Sequence, residues 1–89
     1  FERPIISTYP NPVSDAVVLT ASQPLSSLLQ IELINPLGNV VKQCSSSIVD
    51  TMRTEHQTVF SFLGINNGMY FLRFVCSEET YIIPLIIHH

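Results

Sequence analysis

Proline, glycine and asparagine cut this chain into short stretches, and within most of them apolar and polar residues alternate with period two. That period suits a strand, whose successive side chains point to opposite faces, and does not suit a helix. Composition agrees: Val, Ile and Thr supply 24 of the 89 residues whereas Ala occurs only twice, and branched side chains favour a pleated sheet. The expectation is all-β, a sandwich or barrel of seven short strands forming one domain over residues 1–89.

Ile5 to Thr8 reads as the first strand, ended by Tyr9, Pro10, Asn11 and Pro12, where two prolines fix φ and remove two ladder donors. Ala16 to Thr20 follows, with Val17 and Leu19 on one face. Leu28 to Asn35 has the clearest alternation, with Leu29, Ile31 and Leu33 expected inward and Gln30 and Glu32 outward. Asn35, Pro36, Leu37, Gly38 and Asn39 then form a hairpin signal, because Pro presets the first turn residue and Gly accepts positive φ. Val40 to Cys44 returns beside the preceding strand. Ser45 to Glu55 shows no steady period and reads as a connection with one short strand around Ile48 and Val49. Gln57 to Leu63 alternates again, Phe60 and Phe62 inward. A turn from Gly64 to Gly68 leads to Met69 to Cys76, which is apolar on both faces and therefore central. The last strand, Thr80 to Ile87, contains Pro84, which belongs at a sheet edge or a bulge.

Charged residues make up 12 % of the chain and the formal net charge is −3. No basic surface exists to neutralise phosphates, so nucleic acid is excluded as a partner. Apolar residues at 46 % suffice for a core, and no uninterrupted apolar run approaches the roughly 18 residues of a membrane-spanning helix. The opening Phe1, Glu2, Arg3, Pro4 lacks both an initiator Met and the order of a signal peptide, and reads as part of something longer.

Groups that carry chemistry are few. His56 beside Glu55 has no nucleophile turn to serve. Glu78 and Glu79 are neighbours in a tight turn and diverge, which does not suit general acid and base work on one substrate. Asp15 with Ser14 and Asn11 offers one carboxylate where a calcium loop needs several. His88 and His89 point to opposite faces of a strand and make a poor metal pair. Cys44 and Cys76 flank the strand from Leu28 at a distance of roughly two strand spacings, beyond the reach of a disulfide, so two free thiols are expected. The sequence predicts no enzyme, no cofactor and no metal.

Three segments in order, Tyr9 to Asp15, Ile34 to Val41 and Ile65 to Arg73, resemble the C-terminal sorting domains carried by cargo of the type IX secretion system of Bacteroidetes. The resemblance runs from about Ser7 to Ile87. It implies an immunoglobulin-like sandwich of about seven strands that belongs to a longer exported protein and acts as its address. On this view the domain passes through the periplasm, is recognised by the translocon and is removed by a sortase-like peptidase at the cell surface. The cargo is then released or joined to anionic lipopolysaccharide. Carried over by position, Pro10, Asn11 and Pro12 belong to the first motif, Asn35 and Gly38 to the second, and Gly68 and Tyr70 to the third. Leu85, Ile86 and Ile87 correspond to the terminal recognition strand. Where the family has a Lys near the start of its last strand, this chain has Pro84, and Lys42 is its only lysine.

A physical account of such an address is strand addition: an apolar last strand at a sheet edge accepts a strand from a receptor, or from a second copy as an edge-strand homodimer. Two other readings stay open: a retained immunoglobulin-like module of a cell-surface secretion component, and an accessory spacer or binding module of a secreted enzyme.

Overall fold

The alternating stretches become seven antiparallel strands in a computed structural model, which describes residues 5–9 and 15–89. In chain order they are β1 (Ile6–Tyr9), β2 (Ala16–Ala21), β3 (Leu28–Ile34), β4 (Val40–Gln43), β5 (Gln57–Ser61), β6 (Gly68–Cys76) and β7 (Thr80–Ile87). A three-stranded sheet has the order β1-β2-β5 and packs against a four-stranded sheet with the order β4-β3-β6-β7. The inward residue of each alternation fills the space between them: Val17 and Leu19 of β2, Phe60 of β5, Ile31 and Leu33 of β3, Leu72 and Phe74 of β6, Leu85 and Ile87 of β7. Phe60 and Phe62 stack with ring centroids 5.1 Å apart, a spacing at which aromatic contact adds to burial.

Residues Ser46–Thr54 form a helix, α1, so the short strand expected around Ile48 and Val49 is not there. Val49 and Met52, three residues apart, are buried on one helical face that packs against β3 and β5. Ser and Thr hid this helix because both have poor interior propensity. In place of a strand ladder, the hydroxyls of Thr51 and Thr54 donate to the carbonyls of Ser47 and Asp50 one turn back.

The start of β3 departs from the expected phase. Leu28 pairs with Cys76 but Gln30 with Val75, so Leu29 is extruded in a bulge and 59 % exposed while Leu28 takes the core position. Arg53 of α1 supports the bulge by donating from Nε and Nη2 to the Leu28 carbonyl. Beyond the bulge Ile31 and Leu33 face inward as expected.

Pro84 lies on the edge strand, as the missing donor requires. The Cys76 N–H donates to the Glu79 carbonyl at 2.9 Å, and from that pair the antiparallel ladder alternates so that the Pro84 nitrogen faces away from β6. At the opposite edge of the same sheet, Lys42 reaches from β4 to donate to the Ser61 carbonyl of β5 and lies 5.2 Å from the Phe60 ring centroid, tying the two sheets together. Among the described residues no helix is long and apolar enough to cross a membrane.

Candidate functional site

Asn35 and Gly38 build the turn between β3 and β4. The Asn35 N–H donates to the Asn39 carbonyl at 3.0 Å, and its own carbonyl accepts from the Gly38 N–H at 2.9 Å. Its side-chain Oδ1 accepts from the N–H groups of Leu37 and Asn39 at 3.0 and 2.9 Å, the self-bonding that makes Asn a turn residue. Gly38 has φ +90°, with open space where a Cβ would stand. The backbone conformation alone therefore calls for glycine there.

At the start of β6 the Tyr70 hydroxyl donates to the Asn66 carbonyl at 2.8 Å, and the ring folds back over Gly68. The β6–β7 register then sets Gly68 opposite Ile87, Met69 opposite Ile86 and Tyr70 opposite Leu85. The third sequence motif and the terminal strand are thus one piece of sheet. Leu85 and Ile87 are buried in the core, while the Ile86 side chain faces out and is half exposed. Beyond β7 the His89 N–H donates to Asn67 Oδ1 at 2.9 Å, its ring contacts the Ile65 carbonyl, and its Nδ1 lies 3.5 Å from Asp15. Pro10, Asn11 and Pro12 of the first motif lie outside the described residues.

The groups weighed for chemistry stay apart. His56 is exposed, and its carbonyl serves the ladder by accepting from Ala21. Glu79 accepts a hydrogen bond from the Tyr81 hydroxyl while Glu78 points to solvent. Among the described residues no group of three or more His, Cys, Asp or Glu gathers where it could hold a metal ion.

Cys44 and Cys76 are both free thiols. They sit on opposite sides of β3: Cys44 donates its N–H to Ile31, and Cys76 pairs with Leu28. Burial pushes the Cys44 thiol up to about 12, with Lys42 pulling it down less strongly. Burial also raises Cys76, with a Ser27 hydrogen bond opposing and Glu79 adding. The folded protein holds the Cys44 proton more tightly than the unfolded chain, whose ordinary value is 9.0. Its contribution to stability is therefore complete below about pH 9 and lost as the pH rises toward 12. Alkylation of Cys44 by iodoacetamide at pH 8 should be at least roughly tenfold slower in the native protein than in urea, because the thiolate is the nucleophile. Equal rates in the two states would contradict this placement.

Sequence reasoning missed the outer face of the four-stranded sheet. There Glu32, expected to point to solvent, is 3 % exposed. Its Oε1 accepts from Arg73 Nε at 2.8 Å and lies 2.6 Å from Nη2, and Gln43 reaches its Oε2 at 3.3 Å. The signal was the apolar second face of Met69 to Cys76, which marked that strand as central without showing what its far side meets.

No curated protein matches the chain. A family profile described as the secretion system C-terminal sorting domain matches residues 7–88, nearly the whole sequence and all three motif segments. The chain belongs to this family, the non-catalytic signals that direct export toward the outer membrane and cell surface by type IX secretion.

Proposed function

We propose that the address is the folded sandwich, read on its β6–β7 side, and not a linear stretch of sequence. The observation that carries this is the register placing Gly68, Met69 and Tyr70 against Ile87, Ile86 and Leu85. Two of the three terminal residues are core residues, so the segment has a defined shape only when the sheet is formed. An immunoglobulin-like topology is part of the reading. The sheet orders β1-β2-β5 and β4-β3-β6-β7 suit it, as does Tyr70, whose hydroxyl bonds back to the main chain four residues upstream near the start of the sixth strand.

The translocon is the first partner in this reading, met after passage through the periplasm. A sortase-like peptidase then removes the domain at the surface, and the cargo is released or joined to anionic lipopolysaccharide. Asn35, Gly38, Gly68 and Tyr70 act by holding the turns that shape the domain, and Leu85, Ile86 and Ile87 act as part of β7. Pairing of two copies along the β7 edge meets Pro84, which offers no donor midway along the strand. Pro84 in place of the family's lysine favours one second reading, in which the domain is retained as a module of a surface component.

The test is a reporter carrying the chain in a cell with a type IX system, compared with a Thr80–His89 deletion and with Leu85→Asp, which puts a charge in the core. Both changes should lower the surface-exposed reporter at least roughly tenfold, since each destroys the folded shape. Normal display of Leu85→Asp would show that a linear signal is being read, and normal display of the deletion that the β6–β7 side is not the address. A surface reporter lacking the mass of the 89 residues supports removal, and an intact one supports retention.

A further inference from the structure

On a sheet with one face on the core, the opposite face is ordinarily polar. The outer face of the β4-β3-β6-β7 sheet is not. Phe71 pairs there with Ile34 on one side and Pro84 on the other, and Arg73 pairs with Ile82. These side chains alternate with the inward Leu72 and Phe74. Ile82 is 60 % exposed and Met69 half exposed on the same face.

A groove of about 310 Å³ opens among Ile34, Phe71, Arg73 and Ile82, with the turn of Asn35, Pro36 and Gly38 as one end wall. Apart from Ile82, every lining residue belongs to the second or third motif segment, Ile34 to Val41 or Ile65 to Arg73. Of the residues carried over from the family pattern, Asn35 and Gly38 therefore shape this concavity as well as their own turn.

Several polar groups around it are already committed. Asn35 uses its side-chain oxygen, N–H and carbonyl within its own turn. Arg73 is held by the buried Glu32 carboxylate through Nε and Nη2, so the far end of the groove is locally neutral although the chain carries −3. A charged peptide or a sugar meets no unbalanced charge here, whereas an apolar side chain gains by leaving water. The turn lines one part of the groove and Arg73 another, and its volume is room for a side chain.

We infer that this groove docks an aliphatic or aromatic side chain presented by a neutral protein segment of the type IX machinery. The inference rests on the sorting reading above and names the surface that reading requires. Ile82, the most exposed apolar residue lining the floor, is its anchor, in the way that a few buried apolar contacts dominate an interface.

Ile82→Glu is the deciding variant in the same reporter, with Val59→Glu as its control, because Val59 is similarly exposed on a strand of the other sheet. Cooperative thermal unfolding of the purified chain establishes that each variant folds. Should Ile82→Glu fail to fold, Ile82→Thr keeps a branched, strand-compatible side chain and takes its place. The expected result is at least a roughly tenfold fall in surface reporter for the folded Ile82 variant, a loss typical of a hot-spot residue, and no change for Val59→Glu. If the folded Ile82 variant is displayed like the parent while the Thr80–His89 deletion blocks display, the groove is not the docking surface and the sorting reading stands. If the deletion is also displayed normally, both fall. An equal loss for Val59→Glu would overturn the groove as well, since surface charge anywhere would then suffice.

Discussion

Truncating Phe74 to alanine is expected to cost the domain about 3–5 kcal/mol, the range for removing a fully buried aromatic ring. Phe74 has no exposed surface and sits on the inner face of β6, the strand that joins β3 to β7, opposite Ile31 on one side and Tyr81 on the other. Its neighbours belong to strands whose positions are set by ladders, so they cannot collapse freely into the space left behind. A domain of this size holds roughly 5–15 kcal/mol in total, and each kcal/mol shifts the unfolding temperature by about 4–8 °C. Thermal or urea unfolding should therefore show a drop of at least about 12 °C, or no cooperative transition at all. The sorting reporter should fail in parallel, because the proposed address exists only in the folded state. A drop corresponding to under about 1 kcal/mol would mean that the core is far more plastic than a packed interior allows.

That core was largely legible in the sequence, and the reason is physical. Val17, Leu19, Ile31, Leu33, Phe60, Phe62, Leu72 and Phe74 recur at the two-residue spacing that a strand imposes, and all eight are buried. The turn at Asn35 to Gly38 was legible because its geometry depends on local side-chain chemistry and positive φ. The flanking of β3 by β4 and β6 followed from the hairpin and from the two-faced apolar character of β6. What escaped were features decided by contacts distant in sequence. The bulge at Leu29 depends on Arg53, twenty-five residues from the carbonyl it supports. Helix α1 is set by Val49 and Met52 meeting β3 and β5, against the propensity of its own Ser and Thr residues. The candidate site divides in the same way. Motif residues that shape turns could be named from the sequence, whereas the groove exists only once Ile34, Phe71 and Ile82 are brought side by side from three strands.

The Glu32–Arg73 pair marks where that outer face changes from polar to apolar, and removing half of it is expected to be costly. Arg73→Ala leaves the Glu32 carboxylate, 4 % exposed, with only the 3.3 Å contact from Gln43. Breaking a fully buried ion pair costs about 3–5 kcal/mol. Arg73 is itself 35 % exposed, so solvent screening lowers the expected loss to about 2 kcal/mol. Replacing both residues by methionine removes the unpaired charge along with its partner, and should restore stability to within about 1 kcal/mol of the parent. A double-mutant cycle by urea unfolding measures this coupling, and additive losses in the double variant would show that the pair contributes nothing as a pair. The restored variant should nevertheless behave differently in solution. Methionines at 32 and 73 extend the apolar face past the end of the groove, and a larger exposed apolar patch drives association. Light scattering should therefore find the double variant self-associating at concentrations where the parent is monodisperse. Stability and solubility separate in this experiment because the pair's main effect is to bound the exposed apolar surface, leaving an open groove where an uninterrupted sheet face would bind copies of itself.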